Sequence, residues 1–127
     1  MTRILLSMLV VGCSALVGCG SGVPRDFQVS GKPIEHWLTA IHDADPKLRL
    51  KAVRALGNVG PHHPQAIPAL TEALADADGN VRAQASLALL KSGPRAKSAV
   101  PALQAASQDS DPSVRKCAAD ALKKIGV

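Results

Sequence analysis

The chain has 127 residues and is 46% hydrophobic, enough for one domain with a core and too apolar for a disordered tail. Its apolar set is mostly Ala, Leu and Val, with one Phe, one Trp and no Tyr, which excludes an aromatic-rich sheet sandwich and favours closely packed helices. A formal net charge of +5 is a mild excess and does not by itself single out a polyanionic partner.

The N-terminus opens on Thr2-Arg3 and continues through an apolar run over residues 4–17, broken by Ser7, Cys13 and Ser14, to small residues at Gly18. That is the shape of a secretory signal. Leu16-Val17-Gly18-Cys19 resembles the lipobox of bacterial lipoproteins, and the resemblance implies cleavage before Cys19, which becomes the lipidated first residue of the mature chain. Cys13 follows Val10-Val11-Gly12, but cleavage there leaves apolar residues 15–17 behind, so Cys19 is the expected anchor. An uncleaved membrane helix fits less well, because the run falls short of the roughly 20 residues a span needs. Residues 1–18 are therefore expected to be a lipoprotein signal peptide. Residues 19–31 contain Gly20-Ser21-Gly22-Val23-Pro24 and Ser30-Gly31 without sustained periodicity, and are expected to be a lipidated tether. Gly20 after Cys19, where Asp is absent, leaves two destinations open by resemblance to lipoprotein sorting: the outer face of the cytoplasmic membrane and the outer membrane. With Cys13 removed and Cys19 acylated, Cys117 is the only thiol left and no internal disulfide is expected.

From about residue 32 onward one pattern recurs at a spacing of 33 residues, opened by Asp45, Asp78 and Asp111. Each Asp is placed to cap a helix, and Pro46 and Pro112 take the first helical position, where no amide partner is lost. Apolar residues follow at helical spacing: Leu48, Ala52, Ala55, Leu56 and Val59 in the first copy, then Val81, Ala85, Ala88 and Leu89, then Val114, Ala118, Ala121, Leu122 and Ile125. Gly60, Gly93 and Gly126 are expected to close these helices, with Pro61 and Pro94 preventing continuation. A shorter helix precedes each: Ile34, Trp37 and Ile41 match Ile67, Leu70 and Leu74, then Val100, Leu103 and Ser107. Ser107 breaks the apolar pattern in the last copy, as terminal repeats do. Ser92, where Val59 and Ile125 stand in the other copies, has no explanation in the sequence. The expected architecture is all-α, three stacked helical hairpins over residues 32–127, with repeats at about 32–60, 61–93 and 94–127.

Asp45-Leu48-Arg49, Asp78-Val81-Arg82 and Asp111-Val114-Arg115, each followed by an Ala-rich helix ending in Leu56, Leu89 or Leu122 and then Gly, resemble HEAT repeats, in particular the short HEAT-like class of bilin lyase subunits. The resemblance implies an α-solenoid in which the Asp and Arg residues (Asp45, Arg49, Asp78, Arg82, Asp111, Arg115) bridge neighbouring repeats and the second helices line the concave surface. It also implies partner binding more than chemistry.

Candidates for chemistry are few. The adjacent pair His62-His63 lies in a Pro-rich loop without Cys, Asp or Glu at ligand spacing, His36 and His42 flank the first helix, and no metal is expected. No phosphate-cradling glycine loop and no nucleophilic triad stand out, so neither a cofactor, a small-molecule substrate nor an enzymatic activity is expected. Nucleic acid is not expected either. Lys47, Lys51 and Arg54 with Lys116, Lys123 and Lys124 are basic, but the central second helix contributes only Arg82 and Lys91. Leu87 and Leu90 point away from the expected core direction, and their counterparts are Arg54 and Gly57 in one copy and Asp120 and Lys123 in the other. With Leu50 they form a candidate apolar patch rimmed by Arg54, Lys116 and Lys123, unless adjacent second helices cover the leucines. The function expected is a membrane-anchored, non-enzymatic scaffold for an unidentified protein partner. The alternative is a lyase-type or chaperone-like HEAT subunit acting on a cofactor-bearing partner.

Overall fold

A computed structural model of the protein describes residues 28–127. Cys19, the expected signal segment and most of the expected tether lie outside these residues. Three 14-residue helices dominate: α2 (Pro46–Val59), α4 (Gly79–Ser92) and α6 (Pro112–Ile125). They alternate with shorter ones, α1 (Ile34–Ala40), α3 (Ala66–Ala73) and α5 (Val100–Ala106). The short helices lack the length to hold together in isolation, so packing against the long ones sustains them.

The long helices start where the sequence places their caps. Asp45 Oδ1 accepts the Lys47 amide at 2.9 Å, Asp78 Oδ1 accepts those of Asn80 and Val81 at 2.8 and 3.2 Å, and Asp111 Oδ1 accepts that of Ser113 at 2.8 Å. Each satisfies one or two of the amides a helix start leaves without partners. At the other end Gly126 takes the expected left-handed conformation, whereas Gly60 and Gly93 combine a positive φ with an extended ψ. The difference follows from Pro61 and Pro94, because a residue before proline is kept out of compact ψ values and only glycine tolerates the resulting combination. After Gly60 and Gly93 the chain runs through 3-10 segments, Gly60–His62 and Gly93–Ala99, into the next short helix.

The hairpins stack so that α4 lies between α2 and α6. Trp37, Leu70 and Leu103, equivalent in the three copies, are all buried, as are Leu56 and Leu89. Leu122 in the last copy and Leu48 in the first, on the outer helices of the described stack, are only half-buried. The chain is an all-α solenoid of stacked helical hairpins. Val53, which helical spacing leaves outside the expected core set, is fully buried together with its counterpart Ser86. The Ser86 hydroxyl donates to the Arg82 carbonyl at 3.1 Å, so this polar side chain is satisfied without leaving the interior. Ser92 finds its explanation here as well. Its hydroxyl donates to the Ala88 carbonyl at 3.0 Å, and its Oγ stands 3.2 Å from where a side chain on Gly60 would begin, a contact between hairpins with little room for a bulkier group.

One element departs from the expected tether. Gln28–Val29 (β1) and Lys32–Pro33 (β2) pair antiparallel, joined through Ser30 and Gly31, both at positive φ as tight hairpins require. Val29 is buried, and its carbonyl accepts the Trp37 indole N–H at 2.8 Å. Residues 28–31 thus belong to the folded body. Glycine and serine there serve a turn whose strands are too short to show alternation in the sequence.

Candidate partner-binding groove

Two sets of arginines on the second helices have different surroundings. At the start of α2, Arg49 Nη1 donates to the carbonyls of Asp43 and Ala44 at 2.8 and 3.1 Å, and its Nε and Nη2 donate to the two Asp76 oxygens at 2.8 and 3.0 Å. Arg82 repeats the arrangement in α4: Nη1 on the carbonyls of Asp76 and Ala77, Nε and Nη2 on Asp109 at 2.8 and 3.1 Å. Arg115 keeps the carbonyl half, donating to Asp109 and Ser110 at 2.8 and 3.1 Å. The ladder therefore bridges repeats through Asp76 and Asp109. Asp45, Asp78 and Asp111, expected in that role, are caps, since an aspartate at the cap directs its carboxylate to its own helix. Asp76 and Asp109 also accept the Asp78 and Asp111 amides at 2.8 Å, tying each bridge to the next cap.

These contacts set the ionisation of the bridging acids. Burial pushes the Asp76 carboxyl up, but the Arg49 fork and the Asp78 amide outweigh it and hold the group below the usual carboxylate range. The Arg82 fork and the Asp111 amide lower Asp109 against a smaller cost of burial. Arg49 and Arg82 are correspondingly raised, first by the hydrogen bonds to Asp76 and Asp109. In the ladder Arg49 and Arg82 are matched by carboxylates, while Arg115 meets carbonyls alone.

Arg54, further along α2, is exposed and makes one long contact, Nε to Gln84 Oε1 at 3.4 Å. It stands over the seam between α2 and α4. The two helices approach closely there, and a side-chain carbon on Gly57 would come within 2.8 Å of Ala88 Cβ. Along this seam runs a surface groove in two joined parts. One, of about 320 Å³, is lined by Arg54, Gly57, Asn58, Gln84, Leu87, Ala88 and Lys91. The other, of about 270 Å³, adds Leu50, Asn80, Ala83 and Cys117 and shares Arg54, Gln84 and Leu87.

The groove gathers three of the residues expected from the sequence, Leu50, Arg54 and Leu87, and not the other three. Leu90 has the register of Gly57, which faces the following hairpin, and it packs half-buried against the core. Lys116 and Lys123 share the registers of Leu50 and Gly57, so on α6 they turn away from the α2–α4 seam, are exposed and line neither part. Cys117, one position on, supplies the α6 wall. Gln84, Asn58, Asn80 and Lys91 were not singled out by sequence. The signal for Gln84 is its 33-residue register with Lys51 and Cys117, a position that faces the preceding hairpin.

Elsewhere, a wider cleft of about 480 Å³ lies between the β-hairpin and the end of α2, lined by Gln28, Val29, Ser30, Asn58, Val59 and His62. His62 is exposed and His63 is buried, its Nδ1 accepting the Gln65 amide at 3.3 Å. Among the described residues there is no group of three His, Cys, Asp or Glu side chains able to hold a metal ion. No helix among them is long and apolar enough to cross a membrane.

Comparison with known proteins accords with this architecture. HEAT-repeat models match residues 34–98 and 99–126. Among solved structures, the complex of CpcE and CpcF of phycocyanin lyase from Nostoc is similar over 82% of this chain and 42% of its own, with 28% identity and a TM-score of 0.64. Human deoxyhypusine hydroxylase is similar over 72% of this chain and 31% of its own, with 26% identity and a TM-score of 0.60. An engineered protein is similar over 72% of this chain and 44% of its own, with 28% identity and a TM-score of 0.57. The chain spans less than half the length of each of these structures. No curated protein matches it. The matched models run through all three hairpins, and the chain belongs to the HEAT repeat family.

Proposed function

We propose that this chain is a non-enzymatic scaffold that binds another protein through the groove along α2 and α4, held at a bacterial membrane by a lipid on Cys19. The observation that carries the binding role is the contrast within the second helices: Arg49 and Arg82 are consumed by the ladder, while Arg54 and the half-buried Leu50 and Leu87 share a groove that folding leaves open. Half-buried leucines beside a charge with few partners are what an interface core and its rim require. Membership of the HEAT repeat family and similarity to a two-protein complex support a protein partner.

Comparing proteins that co-purify with the native chain and with a Leu87→Glu variant tests the reading. A specific partner is expected with the native chain and lost with the variant, whereas an unchanged set removes the groove from the function. The anchor has its own test. Cys19→Ala should abolish incorporation of labelled fatty acid and leave the precursor to accumulate, since that cysteine is the sole expected acylation site. Continued acylation would sink the lipoprotein assignment.

Similarity to the phycocyanin lyase complex supports a second reading, a subunit that acts on a cofactor-bearing partner. Visible absorption co-eluting with the purified chain would favour it over a plain scaffold.

A further inference from the structure

We propose that the occupant of the α2–α4 groove is an acidic segment of a partner protein, which seats an apolar side chain against Leu50 and Leu87 and sets carboxylates on Arg54 and Lys91. The proposal rests on the scaffold reading and adds the chemistry of the partner.

Charge is sorted by position in this fold. Among the described residues the acids other than Asp120 sit on the short helices, as Glu35 and Glu72, or in the turns, where all but Asp43 cap or bridge. On the three long helices Asp120 is the only acid, against exposed bases that include Lys51, Arg54, Lys91, Lys116 and Lys123. The groove itself is lined by two cations, Arg54 and Lys91, and by no carboxylate. Apart from the long contact to Gln84, the guanidinium of Arg54 has no partner among the described residues. It is a planar fork of donors, able to hold a carboxylate bidentately as Arg49 and Arg82 already do.

Two other anionic partners fit less well. A single-stranded nucleic acid wants exposed aromatic faces for its bases, and among the described residues Trp37 is the only Phe, Tyr or Trp and is 1% exposed. An anionic lipid surface wants apolar side chains that project into it, yet Leu50 and Leu87 line a groove, and the one exposed large apolar side chain described is Val127 at the chain's end. A groove with leucines among its lining and cations at its edge suits a polypeptide carrying both kinds of side chain.

The test uses the purified full chain and a fluorescein-labelled peptide of Glu and Leu residues, read by fluorescence anisotropy. Arg54→Glu with Lys91→Glu reverses the groove, and Lys32→Glu with Lys97→Glu makes the same change in net charge away from the long helices. The groove reversal is expected to weaken binding by about tenfold or more and the control by about twofold or less, because only the former loses close charge pairs. Replacing Leu by Ser in the peptide should weaken binding further. Equal loss in both double variants would reduce the effect to net charge and overturn the proposal. Tighter binding of an oligothymidylate, or of phosphatidylglycerol vesicles, with the same dependence on Arg54 and Lys91 would reassign the groove to nucleic acid or lipid. A Lys and Leu peptide that binds as well as the acidic one, and is lost with Leu87→Glu, would overturn the acidic partner while leaving the scaffold reading in place. Failure of every peptide, with co-purifying proteins unaffected by Leu87→Glu, would remove both.

Discussion

Arg49 and Arg54 belong to the same helix, yet every guanidinium nitrogen of Arg49 is engaged within the fold and Arg54 makes a single contact at 3.4 Å. The difference comes from what the neighbouring hairpin presents. Opposite Arg49 the turn before α4 offers the Asp76 carboxylate, and opposite Arg54 the body of α4 offers Gln84 and Leu87. One residue type thus serves as a bridge at the turn edge and stands available at the seam. Position in the hairpin, more than residue type, decides whether an arginine becomes an internal bridge or stays open to solvent.

The contrast can be broken from either side. Leu90→Ser should have the largest effect, about 3 kcal/mol in urea unfolding, because that side chain packs on the core. Leu87→Ser on the groove wall should cost about 1 kcal/mol or less. Equal losses would mean that Leu87 is part of the packing and the groove is not a free surface. Asp109→Ala strands the Arg82 fork in a half-buried bridge, with a cost of about 2 kcal/mol expected, while Arg54→Ala should stay within about 0.5 kcal/mol of the native chain. Arg82→Ala should cost about 1 kcal/mol more than Lys91→Ala, and equal midpoints would remove the bridging role.

The smallest effect is the pH response. Asp76 and Asp109 have folded values below their unfolded ones, so their contribution is present above the unfolded carboxylate value of about 4 and is lost as pH falls through the folded values. Urea midpoints should therefore hold from neutral pH to about pH 5 and fall below about pH 4, with a shallower fall in Asp109→Asn. A midpoint indifferent to acid would show that the bridges do not contribute.

Much of the fold could be read from the sequence because its markers repeat. Asp45, Asp78 and Asp111 at caps and Gly60, Gly93 and Gly126 at helix ends fixed six boundaries without reference to tertiary contacts. What escaped depended on neighbours. Val53 lies off the main apolar stripe, and its counterpart is Ser86, so periodicity alone gives it no core assignment; the packing of neighbouring elements on α2 buries it. The bridging acids escaped because Asp76 stands two residues from the cap Asp78, and only the stacked structure shows that Asp76 takes the Arg49 fork while Asp78 takes the first amides of α4. The groove was half legible: helical angles separate Leu87 from its own helix's core face, but only the stacking direction distinguishes Leu87 from Leu90 or Cys117 from Lys116.

The bond from the Trp37 indole to the Val29 carbonyl ties the β-hairpin to α1. Among the described residues β1 comes first along the chain, joined to the rest by a two-residue ladder, the buried Val29 with its packing near α2, and that indole contact. Among the described residues the hairpin precedes every helix and makes less contact than the stacked repeats behind it. A break of the Trp37–Val29 bond would loosen the hairpin without touching any residue that lines the α2–α4 groove, so the two can vary independently.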